Sequence, residues 1–304
     1  MVIGSGATAV TLVPSMAEET AHITMLQRSP SYIFSIPGHD KLSEILDTVL
    51  PSDWVFGMAR WRNIKLQRLI YKASKKYPNF MRKLLLSNVK RHVGDGVDMA
   101  HFSPSYMPWD ERLCAVPDAD LFKDLRDGKA SVVTDHIETF TENGILLKSG
   151  RELEADIIIT ATGLNLQVLG GMQLSLNGEP LDVSERMTYK GVLMEGVPNM
   201  AWVFGYTNAS WTLKADIAAA YVCRLLNYLK ENRLSVAMPR AECAQPQQDH
   251  SIMDALGSGY VQRSSHLLPR QGQGHPWRVT NHYAHDSHML LEEPVEDGFL
   301  AFSR

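Results

Sequence analysis

Apolar positions along the chain follow two periods, and the order in which they alternate predicts a mixed α/β fold. Val2-Ile3 is a short apolar run that stops at Gly4. The spacing over 7–17 then predicts a helix, and 22–26 reads as a second strand closed by Ser29-Pro30. This is a βαβ opening with a short first strand. From 41 to 92 apolar residues recur at helical spacing. Within that stretch Leu66, Leu69, Ile70, Ala73 and Tyr77 share one face, with Lys65, Arg68, Lys72, Lys75 and Lys76 opposite. Such a helix is expected to dock on the core by its apolar face. Strands follow at 131–134 and 144–147, the latter after an Asn143-Gly144 turn. Asp156-Ile157-Ile158-Ile159-Thr160 is a nearly continuous apolar run, the pattern of a strand buried on both faces of a parallel sheet. A strong helix is predicted over 215–229. From about 237 the chain, richer in Pro, Gln, Gly and His, reads as loops and short helices.

At 304 residues the chain is long enough for two domains, and 44% hydrophobic with 21% charged residues is a globular composition. The net charge of -4 excludes a nucleic-acid binder that works by overall charge. That charge is unevenly spread. The segment 60–92 holds 11 Lys+Arg and no Asp or Glu, leaving 19 of the 30 basic residues among the other 271. Peripheral contact with an anionic membrane through 60–92 is therefore one expectation, and a solvated helix the plainer one. Cys114, Cys223 and Cys243 are scattered and form no C-x-x-C, which argues against a disulfide scaffold, a zinc ribbon or a redox pair. With no apolar stretch of ~20 residues and no signal-peptide pattern, a cytoplasmic location is expected. His282, His285 and His288 diverge around a helix at i, i+3, i+6 and are read as a polar tail, so no metal is expected.

One motif carries chemistry. Gly4-Ser5-Gly6-Ala7-Thr8-Ala9 is G-x-G-x-x-A between a strand and a helix. The first glycine allows the tight turn, the second lets a pyrophosphate approach the backbone, and the small last residue lets helix and strand pack closely. The helix N-terminus then faces the phosphates. An NAD or FAD site places an acid at the end of the next strand; here Gln27-Arg28-Ser29 stands there instead. Arg28 offers a planar cationic fork for a 2′-phosphate and Ser29 a further hydrogen bond, so the site reads as NADP(H).

These residues, with Pro30, resemble the NADPH domain of the flavin-containing monooxygenase superfamily, and of Baeyer–Villiger-type monooxygenases in particular. Ala155 through Gly163 resembles that family's A-T-G segment, where the chain returns to the FAD domain. Pro108 through Cys114 and Gly205 through Lys214 also look like family segments. The resemblance spans essentially the whole chain. It implies a Rossmann-like NADPH-binding domain over 1–155, containing the basic helical segment 41–92, and the C-terminal part of a FAD/substrate domain over 156–304. Members carry a separate FAD motif before the NADPH motif, which Gly4 leaves no room for here. The expected architecture is thus an N-terminally truncated two-dinucleotide-binding-domain flavoprotein, with 156–163 an apolar strand lacking the rest of its sheet.

The activity implied is FAD- and NADPH-dependent insertion of one oxygen atom from O2 into a ketone, or oxidation of a soft nitrogen or sulfur atom, through a flavin peroxide. The small-molecule substrate itself and the oligomeric state are not specified. Arg112 lies closest to the family's catalytic arginine; Ala161, Thr162 and Gly163 join Gly4 through Ala9, Arg28 and Ser29 as cofactor-binding candidates. Trp211 and Lys214 either line the flavin side or pack. The alternative is an NADP(H)-binding remnant without catalytic activity, and a reductase that only moves hydride is a third reading.

Overall fold

The computed structural model describes residues 1–111, 113–241, 246–253 and 257–304. It divides into two compact units, Met1–Leu164 and Asn165–Arg304. The division falls after Leu164 rather than after 155, so the apolar run 156–160 and Ala161-Thr162-Gly163 belong to the first unit.

The first unit opens with β1 (Val2–Ile3), α1 (Ala7–Met16) and β2 (Ile23–Gln27), then β3 (Ile33–Ile36). Three helices follow: α2 (Lys41–Asp47), α3 (Ser52–Lys76) and α4 (Pro78–Val93). The chain continues through β4 (Cys114–Pro117), α5 (Asp120–Arg126) and β5 (Ala130–Thr134). A meander of β6 (Ile137–Phe140), β7 (Gly144–Leu147) and β8 (Glu152–Glu154) leads to β9 (Ile159–Thr160). A parallel four-stranded sheet runs in the order β5-β2-β1-β9, with Val2 paired to Met25 on one side and Ile159 on the other. Side chains alternate across this sheet as the pleat requires. Val2, Ile23, Met25 and Ala130 enter one core with Ala9, Val10 and Val13 of α1, Val89 of α4 and Phe122 of α5. Ile3, Leu26 and Val133 face the other way, onto Ile145, Leu147 and Leu153 of the meander. The sheet is thus buried on both faces, and the strands read as apolar runs for that reason.

Two expectations change here. The run 156–160 does find a sheet: β9 is its edge strand, hydrogen-bonded to β1. Only Ile159 and Thr160 pair, because β1 offers two residues to pair with, and Ile157 is exposed. The apolar face expected to dock α3 on the core is also exposed: Leu66, Leu69, Ile70 and Tyr77 lie outside, while Val55 and Ser74 are the buried positions.

The second unit is built from short ladders and two longer helices. Hairpins β10 (Leu174–Leu176)/β11 (Glu179–Leu181) and β12 (Thr188–Tyr189)/β13 (Leu193–Met194) precede α6 (Trp211–Glu231). Then come β14 (Val236–Pro239), β15 (Pro246–Ser251), α7 (Gly259–Ser264), β16 (Arg270–Gly272), α8 (Tyr283–Leu291) and β17 (Leu300–Ser303). β14 pairs with β17 and β15 with β16, both antiparallel. Leu213, Ile217, Tyr221, Leu225 and Leu229 repeat every four residues and bury one side of α6. Ile217, Tyr221 and Leu225 share a core with Met289 and Leu290 of α8. The helix begins at Trp211, ahead of the expected 215, since nothing from 211 to 214 breaks it. The histidine stretch is helical rather than a tail. His282 caps α8 by accepting the backbone N–H of His285, and His288 bonds Glu292.

Candidate functional site

The carboxyl ends of β1 and β9 meet where the strand order reverses, β1 leading to β2 on one side and the returning β9 lying on the other. In open parallel sheets this switch point is where a ligand-binding crevice forms. Gly4 holds it together. Its N–H donates to the carbonyl of Leu26 at 2.8 Å, its φ is +141°, and a Cβ there would stand 2.3 Å from the carbonyl oxygen of Ala161. Only glycine tolerates both the backbone conformation and the approach. Ala161 in turn donates its N–H to Ile3 at 2.7 Å. The A-T-G segment and the glycine turn, 157 residues apart between Gly4 and Ala161, are therefore neighbours, with Thr162 and Gly163 exposed beside them.

Gly6 plays a different part. It is the N-cap of α1 in an extended conformation, no side chain caps the helix, and a Cβ at Gly6 would meet nothing within 4 Å. Ala7 and Thr8 are exposed, and the first turn itself contains no acidic residue. An anion is what uncapped first-turn N–H groups and the positive end of the helix favour. Ala9 is fully buried against the sheet, as close helix-strand packing requires. Ser5 donates to the carbonyl of Ser29 at 3.0 Å and lies 2.9 Å from the hydroxyl of Ser31, which fixes the turn against the chain leaving β2. Arg28 and Ser29 are exposed at the end of β2. The groups present thus suit a dinucleotide phosphate: open space over Gly6, free helix amides, and a cation at the end of the second strand.

Sequence reasoning missed the wall that stands beside this turn. Tyr32 donates to the carbonyl of Tyr106 at 2.8 Å, and Arg82 reaches both Tyr32 and that carbonyl. Burial pushes the Tyr106 phenol up to about 12. Glu111 is held above the usual carboxylate range by burial, partly offset by the charge of Arg28. Ser31 and Tyr32 follow the Ser29-Pro30 stop directly and could have been noticed, but Glu111 reaches Arg28 only through the fold. Arg112 lies outside the described residues. In the second unit Lys214 is buried: its ammonium donates to Asp286 at 2.9 Å and to the carbonyl of Lys190 at 3.3 Å. Asp286 also accepts from Tyr206 and Thr280. Trp211 is half exposed, its ring so close to Gly205 that a Cβ there would meet it at 2.1 Å. No cluster of metal-ligating side chains occurs among the described residues.

Known proteins are similar to this chain in sequence. MymA of Mycobacterium tuberculosis, named as a FAD-containing monooxygenase, is 59% identical over 309 residues. EthA of the same species, also named as a FAD-containing monooxygenase, is 48% identical over 306 residues. Each alignment takes in 100% of this chain.

Along its whole length the chain is similar to FAD-containing monooxygenases. It spans 62% of the length of MymA and of EthA. No family model matches it. Among solved structures, an oxidized steroid monooxygenase bound to NADP superposes with a TM-score of 0.69 at 16% identity, covering 100% of this chain and 66% of that one. OTEMO in a FAD-bound form gives 0.61 at 18% identity, covering 78% and 53%. At such identities the likeness is one of fold.

Proposed function

We propose that the chain supplies the NADP(H)-binding part of a FAD- and NADPH-dependent monooxygenase, with the NADPH pyrophosphate on the uncapped N-terminus of α1. The observation that carries this is Gly6, where a missing side chain leaves open space beside free helix amides at the end of β1. In this reading Gly4, Ser5, Gly6, Ala7, Thr8 and Ala9 form the phosphate cradle. Arg28 and Ser29 take the 2′-phosphate, and Ala161, Thr162 and Gly163 form the facing wall. Glu111 competes for Arg28 until a phosphate replaces it.

When bound, the cofactors supply a hydride and the activation of O2 by which one oxygen atom enters a ketone or a soft nitrogen or sulfur atom. The chain's own residues bind and orient NADPH. Among the described residues no second parallel strand runs into a glycine-rich helix start, so no FAD phosphate cradle is assigned here. FAD enters the reading through the names of the relatives. Arg112, by its place in the sequence, is proposed to stabilise negative charge during oxygen transfer. Membrane contact through 60–92 is a separate proposal that rests on α3.

The test is calorimetric titration with NADPH and NADH. Arg28→Ala is expected to weaken NADPH by about 1–3 kcal/mol and leave NADH nearly unchanged, the scale of a charge-assisted hydrogen bond. Equal losses for both cofactors remove the NADP assignment, and failure of the parent chain to bind either removes the site. A second reading is NADP(H) binding without catalysis. It predicts a colourless protein after FAD addition and desalting, with no NADPH oxidation.

A further inference from the structure

The first unit carries one surface that neither the cofactor site nor the core accounts for. On α3, Trp54, Met58 and Trp61 follow one another at helical spacing and are 68%, 45% and 65% exposed. The same stripe continues through Lys65, Leu69, Lys72 and Lys76, all exposed. An apolar, aromatic half therefore passes into a cationic half along one face of a helix about 37 Å long, at 1.5 Å per residue. The Lys65 ammonium lies over the Trp61 ring at 5.6 Å, which joins the two halves. Other cations of this segment are engaged within the fold: Arg62 with Asp40, Lys75 with Asp110 and Lys90 with Asp95. Among the described residues, Lys65, Lys72 and Lys76 have no carboxylate partner, and no acid occurs anywhere from 54 to 94.

Outward tryptophan and leucine interleaved with lysine on a helix is the pattern that lies in a lipid headgroup layer. No helix among the described residues is long and apolar enough to cross a membrane, so the geometry is one of lying on the surface. Charge selects the occupant. A second copy in a two-fold dimer would set this cationic face against itself. An acidic protein would satisfy the lysines but gives no reason for two tryptophans to stand in water. We propose that α3 docks the protein peripherally on an anionic phospholipid surface, its aromatic half entering the headgroup layer and its lysines pairing with lipid phosphates. The rest of the chain, with 33 acidic against 23 basic residues, is repelled by that surface, which orients the molecule with α3 inward.

Co-sedimentation of the full chain with vesicles tests this. Binding is expected to phosphatidylcholine vesicles containing about 30% phosphatidylglycerol at about 0.1 M salt, falling away near 0.5 M, and to be absent from pure phosphatidylcholine. Neutralising Lys65, Lys72 and Lys76 with glutamine lowers the partition coefficient roughly fivefold per lysine, or on the order of 100-fold together. Trp54→Ser with Trp61→Ser weakens binding further and removes a blue shift in fluorescence on vesicle addition. All five positions are exposed, so unchanged circular dichroism melts are expected. Equal binding to neutral and anionic vesicles, or an unaltered partition for the lysine variant, overturns the proposal. So does a concentration-dependent dimer lost with Trp61→Ser in a chain that ignores vesicles, which assigns the face to a second copy. Binding to soluble polyglutamate but not to vesicles assigns it to an acidic partner.

Discussion

Gly4 and Gly6 are both glycine, for opposite reasons. At Gly4 the backbone is at positive φ and Ala161 occupies the place of a side chain, so Gly4→Ala adds both backbone strain and a clash with a carbonyl oxygen. Together these should cost at least ~2 kcal/mol of stability. Gly6→Ala meets neither obstacle and should change stability by less than about 0.5 kcal/mol in urea unfolding. Its methyl group, however, fills the space a pyrophosphate would use, and NADPH should weaken by about tenfold or more, a change of 1.4 kcal/mol. A Gly6→Ala protein that melts normally and binds NADPH normally would remove the phosphate from this turn. The buried Lys214-Asp286 pair makes a similar distinction in the second unit. Asp286→Asn leaves an ammonium buried beside the Tyr206 ring and the Lys190 carbonyl and should lose about 3–5 kcal/mol, and the added change Lys214→Met should recover part of it. A double variant less stable than the single one contradicts that account.

Between elements, the docking of α2 on α3 rests partly on one exposed carboxylate. Asp40 caps α2 by accepting from the Ser43 backbone and hydroxyl, and it pairs with Arg62 of α3. The Arg62 hydrogen bond, with help from Ser43, lowers its pKa from 3.8 to about 2. A carboxylate depressed in the folded state stabilises above its unfolded value, and that contribution disappears as the pH falls through the folded one. The α2-α3 contact should therefore persist through pH 4 and loosen toward about 2, and in Arg62→Ala the Asp40 titration should move up toward 3.8. Carboxyl NMR shifts read both; an unmoved midpoint in Arg62→Ala would assign the depression to Ser43. The same elements show what a sequence exposes. α1, β2 and β7 were legible because a glycine turn, a Ser-Pro stop and an Asn-Gly turn bound them locally. The faces of α3 were not. A period of 3.6 marks an amphipathic helix without saying whether its apolar side meets a core or a surface, and here part of it faces out. Glu111 beside Arg28 was illegible because the fold, and no spacing, brings them together.

For the whole molecule, the consequential feature is that the two units have separate cores and that the chain passes between them close to the glycine turn. The passage is exposed from Thr162 through Asn165, and Leu164 is 63% exposed. Mild chymotrypsin treatment should cut after Leu164 before it cuts either core, since exposed backbone outside secondary structure is cleaved first. Ala161 lies against Gly4, so a dinucleotide held at the turn would also hold the start of this passage. Where cleavage needs a local opening that the bound form disallows, saturation at ten times the dissociation constant should slow it about tenfold. NADPH should then protect Leu164 at concentrations where NADH does not, and Arg28→Ala should abolish the difference between them. Cleavage that is indifferent to NADPH, in a chain shown by calorimetry to bind it, would separate Ala161, Thr162 and Gly163 from the cofactor site and leave Gly4 through Ala9 to hold the dinucleotide without them.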